Sequence, residues 1–172
     1  MKEINVRPED RTVVIPAREA ARAAREKGKG NENIFCGVAL ELKDGSIVTG
    51  MNSSLMHSTS SLILNATKQL SGIPDTIDLL PRPVVKSLNY LKKDILKGKM
   101  ASLNVEEILI ALSISASSNP AAQIAIEKLS ELNGCELHTT HIPTPGDSAG
   151  LRKLGLIVTS DPEFPTRDLL IT

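Results

Sequence analysis

The stretch that most constrains the fold of this 172-residue chain runs from Ile34 to Gly50. Ile34-Phe35-Cys36-Gly37-Val38-Ala39-Leu40-Glu41-Leu42 and Ile47-Val48-Thr49-Gly50 are both rich in strand formers, and Lys43-Asp44-Gly45-Ser46 joins them. Asp-Gly takes the positive φ angles that let two antiparallel strands keep their twist, so the segment reads as a β-hairpin. A hairpin cannot stand alone in water and needs further strands or a covering helix. The rest of the chain must supply them.

Helical and extended segments alternate around it. Thr12-Val13-Val14-Ile15 reads as a short edge strand, and Pro16 as the opening of a helix over Ala17–Lys27, rich in Ala, Arg and Glu. The tract Gly28-Lys29-Gly30-Asn31 reads as a linker. After the hairpin, a helix is expected over His57–Leu70, with Ser58, Thr59 and Ser60 as candidate caps and Gly72 and Pro74 closing it. A proline-rich loop occupies 73–83, then helical sequence runs from Val84 to about Gly98.

The run Val105–Ser118 admits two readings: a helix capped by Asn104, or a buried central strand over Ile108–Ser115. The segments downstream favour the strand. Asn119-Pro120 starts a helix that Gly134 ends, Glu136–Ile142 reads as a strand, Gly146–Leu154 as a short helix, and Leu156–Thr159 as a strand. Strand–helix–strand–helix–strand implies two parallel βαβ crossovers. The expected class is α/β, a three-layer α/β/α arrangement with a mixed sheet. The expected organisation is an N-terminal strand and helix extension over 1–30, then a single α/β domain over 31–172.

Composition narrows the function classes. Apolar residues reach 41% while aromatics are only 2%, so Leu, Ile, Val and Ala must fill the core; single-strand nucleic-acid binders stack bases on aromatic rings, and here Phe35, Tyr90 and Phe164 stand far apart in sequence. Twenty basic and twenty acidic residues cancel, which gives no electrostatic reason to expect nucleic acid. Cys36 and Cys135 are too far apart to form a disulfide framework and read as reduced and buried. The N-terminus lacks the apolar stretch of a signal peptide, and the longest apolar run, Ile108–Ala116, is too short to span a membrane. A cytoplasmic location is expected, with neither membrane nor metal nor cofactor implied.

Two polar clusters are candidate ligand sites. Ser115, Ser117, Ser118 and Asn119 would lie where a parallel strand passes into a helix, the place where α/β sheets bind ligands and free N–H groups attract anions. The plainer reading is that Ser118 or Asn119 caps that helix. Thr49, Asn52, Ser53, Ser54, His57 and Ser58 form the second cluster, and its plainer reading is a solvated loop. His138 and His57 are candidate acid–base groups. His138 and His141, three apart on a strand, face opposite ways and cannot chelate one ion. No nucleophile elbow, phosphate loop or paired-histidine zinc motif occurs.

The hairpin, helix and later units resemble the cytidine-deaminase-like fold. Zinc-dependent members carry His or Cys followed by Glu at the first helix start and Pro-Cys-x-x-Cys at the second. Here the first reads Met56-His57-Ser58-Thr59, without that Glu, and the second Asn119-Pro120-Ala121-Ala122, without thiolates. Zinc-dependent deaminase chemistry is therefore excluded by its missing ligands.

A fuller resemblance is to the bacterial family known as domain of unknown function 1846. It rests on Asp44-Gly45-Ser46-Ile47-Val48-Thr49-Gly50, Ser60-Ser61-Leu62-Ile63-Leu64-Asn65-Ala66, Leu109-Ile110-Ala111-Leu112-Ser113-Ile114-Ser115-Ala116, Gly134-Cys135-Glu136 and Arg152-Lys153-Leu154-Gly155, and spans Val6 to the C-terminus. It implies a C-terminal domain whose longer relatives carry an N-terminal region with a phosphate-loop-like segment, absent from this sequence. His57 and Thr144-Pro145-Gly146-Asp147 depart from the family pattern.

The reading is a domain of unknown function that binds a small anionic or nucleotide-like ligand at a helix N-terminus, through Ser53, Ser54, Ser115, Ser117, Ser118 and Asn119. The alternatives are an oligomerisation module, self-associating or partnering a separate nucleotide-binding chain, and a metal-independent enzyme.

Overall fold

The computed structural model describes residues 6–165. Strands β1 (Gly37–Glu41) and β2 (Ile47–Met51) form the expected hairpin, with Leu40 opposite Val48 and Val38 opposite Gly50. Gly45 sits at φ +84°, and the Asp44 carboxylate accepts from the Ser46 N–H at 2.9 Å, closing the turn. β3 (Glu136–Thr139) lies antiparallel to β1, and β4 (Ile157–Ser160) lies parallel to β3. The sheet is mixed and four-stranded, in the order β2-β1-β3-β4.

Alternation along β1 sends Val38, Leu40 and Leu42 to one face and Gly37 and Ala39 to the other. Helix α1 (Val14–Glu26) covers the second face, where Val13, Ala17 and Ala39 pack together. It approaches closely because Gly37 has no side chain: a Cβ there would stand 2.1 Å from the Ala17 carbonyl oxygen. The other face carries the main core. Val38, Leu40 and Leu137 meet Leu62 and Ile63 of α2 (Ser58–Ser71), with Leu112 and Leu132 beyond them. Behind α2 lie α3 (Arg82–Tyr90), α4 (Val105–Ala116) and α5 (Pro120–Lys128), while α6 (Pro145–Lys153) connects β3 to β4. Helices thus lie on both sides of one sheet, a three-layer α/β/α fold.

Two expectations are corrected. Residues 12–15 are not an edge strand: α1 begins at Val14, and Pro16 sits within its first turn, where a missing N–H costs nothing. Val13 and Val14 are buried under the helix rather than paired in the sheet. Residues 108–115 are helix α4, not a central strand. The deciding groups are polar and local. The Asn104 side chain accepts from the Glu107 N–H at 3.0 Å, and the Glu107 carboxylate accepts from the Asn104 N–H at 2.9 Å, a capping box that fixes the first turn. The apolar run has two faces: Ile108, Ala111 and Leu112 enter the core, while Ile110 and Ile114 remain exposed. Only one βαβ crossover therefore exists among the described residues, β3-α6-β4.

Among the described residues no helix is long and apolar enough to cross a membrane. Cys36 and Cys135 are free and buried. Burial, with the nearby Asp147 charge, pushes the Cys36 thiol up to about 12, so it is no nucleophile at neutral pH.

Candidate functional site

The N-terminus of α2 is the chemically unusual place in this fold. The chain reaches it along residues 53–57, which run beside 101–104: the Leu103 N–H donates to the Leu55 carbonyl at 2.8 Å and the His57 N–H to the Leu103 carbonyl at 3.0 Å. Ser53 shapes the approach, its hydroxyl oxygen accepting from the N–H groups of Leu55 and Met56 at 3.2 Å. Asn52 ties the loop to β1 by accepting from the Cys36 N–H at 2.8 Å.

Among the described residues no side chain caps the N-terminus of α2. The first N–H groups of a helix have no intrahelical partner, and Ser58, Thr59 and Ser60, which carry them here, are all buried. The serines and threonine that the sequence offers as caps do not serve as caps: the Ser60 hydroxyl, for one, donates to the Leu103 carbonyl at 2.9 Å. A buried helix start without a side-chain cap leaves donors that must find another partner, because each orphan donor costs free energy.

His57 occupies the N-cap position, and its Nδ1 stands 2.7 Å from Asp147 Oδ2. Their side chains are 11% and 5% exposed. Asp147 also accepts from the Val105 N–H at 2.9 Å and the Thr144 hydroxyl at 2.9 Å. Burial alone would raise its carboxyl pKa, but the His57 hydrogen bond and charge, the Val105 amide and the Thr144 hydroxyl together hold it below the usual range. An ionised carboxylate only accepts, so His57 Nδ1 carries the shared proton. In the neutral ring the lone pair is then on Nε2.

Two glycines put Asp147 there. A Cβ on Gly146 would stand 2.3 Å from Asn104 Nδ2, and one on Gly150 would stand 2.5 Å from Val105 Cγ1. Four residues apart, they share one face of α6 and let it press against the start of α4. Thr144-x-x-Asp147 has the form of a capping box, and Thr144 does accept from the Asp147 N–H at 3.3 Å. The carboxylate, however, reaches across to α4 and His57.

His57 Nε2, Thr59 Oγ1 and Ser102 Oγ are buried with no hydrogen-bond partner among the described residues, and all three residues line the same cavity. Thr59 and Ser102 are 2% and 1% exposed. The cavity measures about 40 Å³, room for about three waters or one small oxyacid group by the volume a probe-sized molecule needs. Buried polar atoms are nearly always satisfied, and three orphans facing one void mark a space shaped for a polar occupant.

The residues singled out by sequence separate. Ser53 and His57 line this cavity, and Ser54 is exposed outside it. Ser115, Ser117, Ser118 and Asn119 lie at the junction of α4 and α5, away from any strand end. The Asn119 side chain accepts from the Ala121 N–H at 3.1 Å and caps α5, and the Ser117 hydroxyl donates to the Ile114 carbonyl. His138 is on the α1 face of the sheet, opposite His57. Its Nδ1 meets Thr159 Oγ1 at 2.8 Å, and its Nε2 is 3.3 Å from Asp161. Burial lowers its pKa against the pull of Asp161, so the ring is neutral at pH 7. Sequence reasoning missed Asp147, Ser102 and the orphan hydroxyl of Thr59.

Comparison with known proteins places the chain. The family model described as "Domain of unknown function DUF1846, C-terminal" matches residues 9–170. A UPF0371 protein of Clostridium tetani is 45% identical over 98% of this chain, and one of Clostridioides difficile is 44% identical over the same share. A third, from Clostridium botulinum strain Langeland, is 45% identical. Each alignment covers 34% of the relative, so the chain spans about a third of the length of the proteins it matches. With nearly the whole chain matched by the model, the protein belongs to the family of domain of unknown function 1846, in its C-terminal part.

Proposed function

We propose that this domain binds a small oxyacid group, a carboxylate or phosphate, at the buried N-terminus of α2. The observation that carries the reading is the trio of unpartnered polar atoms, His57 Nε2, Thr59 Oγ1 and Ser102 Oγ, around one cavity beneath uncapped helix N–H groups. Helix N-termini favour negative charge, and the two hydroxyls can donate to ligand oxygens. His57, oriented by Asp147, accepts the acid proton at Nε2 and leaves a charge-assisted hydrogen bond. The same arrangement would let His57 serve as a general base in a metal-independent reaction. Two buried thiols support a reducing, cytoplasmic setting.

The test is a thermal-shift comparison of wild type and Thr59→Val against phosphate, acetate and larger carboxylates. Ligand at about 100 times its Kd stabilises by about 2.7 kcal/mol. Without ligand, Thr59→Val removes an unsatisfied buried hydroxyl at constant volume and is expected to raise the melting temperature by about 2–4 °C per kcal/mol relieved. With ligand, its shift is expected to collapse. An unchanged shift in Thr59→Val, or no shift from any oxyacid, would sink the reading.

A second reading, a docking module, is favoured by the outward face of α4. Ile110 and Ile114 are 63% and 67% exposed, one turn apart, and contiguous exposed apolar side chains mark contact surfaces. The double variant Ile110→Lys/Ile114→Lys is expected to keep the wild-type urea midpoint and to fall from the mass of a self-associated wild type to monomer mass by light scattering. A monomeric wild type would remove the self-association form of this reading.

A further inference from the structure

We propose a second binding site, on the opposite side of the sheet: the cleft between α1 and residues 33–35 and 161–164 takes a planar aromatic group that carries a phosphate. The cleft is open and holds about 590 Å³, within the usual range for small-molecule sites. It does not rest on the α2 cavity or its ligand.

Three arginines of α1, Arg18, Arg22 and Arg25, line one wall. Spacings of four and three place them along one helical face. Their states differ. Arg18 is saturated, donating from Nε to Asp161 Oδ2 at 3.0 Å and from a terminal nitrogen to Oδ1 at 2.8 Å. Arg25 rests over the Phe35 ring, 5.5 Å from its centroid, which leaves its in-plane donors for an anion. Arg22 is exposed and makes no hydrogen bond or ion pair with any described residue. Against these two guanidinium groups the lining sets one unmatched carboxylate, Glu163, since Asp161 is neutralised by Arg18. The local balance favours an anion although the whole chain sums to zero.

Scarcity marks the aromatic half of the site. The sequence holds one tyrosine, two phenylalanines and no tryptophan, and both phenylalanines line this cleft. Phe164 is 61% exposed and lines the same cleft as the arginines. A ring stacked on Phe164, with its phosphate held by the planar donors of Arg22 and Arg25, uses each group for what it does best. Nucleoside monophosphates and simple aryl phosphates share that chemistry.

Isothermal titration of the whole chain with AMP, phenyl phosphate and adenosine tests the site, in wild type, Arg22→Glu/Arg25→Glu and Phe164→Ala. These residues are at the surface, and circular dichroism melts confirm that each variant folds. Saturable binding of AMP or phenyl phosphate is expected, weakened at least tenfold by the arginine pair and clearly by Phe164→Ala, with adenosine weaker than AMP. Tighter binding of AMP than of phenyl phosphate assigns the nucleotide class, and the reverse assigns aryl phosphates. Absence of saturable binding by both phosphates, or equal affinity in Arg22→Glu/Arg25→Glu, overturns the proposal. The α2 cavity is read separately, through Thr59→Val and phosphate, so either site can fail alone.

Discussion

Replacing Asp147 with alanine is expected to destabilise the domain by about 3–5 kcal/mol, among the largest effects of any single substitution away from the apolar core. Three donors converge on that carboxylate: His57 Nδ1, the Val105 N–H and the Thr144 hydroxyl. Each would be left buried and unsatisfied, at about 1–3 kcal/mol apiece before relaxation. The loss reaches beyond α6, because Val105 opens α4 and His57 precedes α2. One residue thus ties the starts of two helices to a third. Urea unfolding at pH 7 measures the effect, and a midpoint within about 0.5 kcal/mol of wild type, on the order of an ordinary surface change, would falsify this role. Asp147→Asn keeps the shape but offers an amide N–H₂ where a donor already points, so it is expected to recover only part of the loss.

The same carboxylate makes stability depend on acid. Its folded pKa lies below its unfolded value near 3.9, so its contribution is complete above that value and is lost as pH falls through the folded pKa. The gap between wild type and Asp147→Asn is therefore expected to close progressively below about pH 4. A gap that stays open or widens below about pH 4 would contradict the assignment.

The parts of this fold legible from sequence are those that local chemistry decides. Asp44-Gly45 specified the hairpin because positive φ is a property of one residue. Asn119-Pro120 announced α5, and Gly72, at φ +66°, ended α2 as a helix-terminating glycine should. α4 was lost to a competition that periodicity cannot resolve. Its apolar residues occupy two faces, one facing the core and one facing outward at Ile110 and Ile114, and a run apolar all round reads equally as a buried strand. The Asn104–Glu107 capping box was the signal that could have decided it. The misplaced strand then carried Ser115–Asn119 to a strand end where they do not lie. His57 was visible as a histidine at a helix start, but its partner is 90 positions away, and no local pattern links the two. Thr144-x-x-Asp147 beside Gly146 and Gly150 hinted that α6 presses on something. Only the tertiary packing says what.

Gly50→Ala is expected to separate fold from site. Gly50 faces α2 from the second strand, and a Cβ there would stand 2.6 Å from the Ser58 carbonyl oxygen and 2.6 Å from the Leu62 N–H nitrogen. Both obstacles are helix backbone, which cannot swing aside as a side chain can, so α2 must move outward. Overpacking of this kind costs about 1–3 kcal/mol, less than the stability of a typical domain, and the protein is expected to remain folded with a lower urea midpoint. The clash spans Ser58 to Leu62, so the displacement reaches the first turn of α2, where His57 and Thr59 line the cavity. A shift of a few tenths of an ångström there misaligns hydrogen bonds that weaken steeply with angle. Oxyacid-induced thermal stabilisation is therefore expected to fall by more than the stability loss alone would dictate. Gly37→Ala is the matched control: its Cβ would strike Ala17 and Ala21 of α1 on the opposite face, 2.1 and 2.3 Å away. It should cost at least as much stability, yet leave the oxyacid response of the surviving folded protein close to that of wild type. If both variants lose the response in proportion to stability, the α2 start is structural and not a binding site.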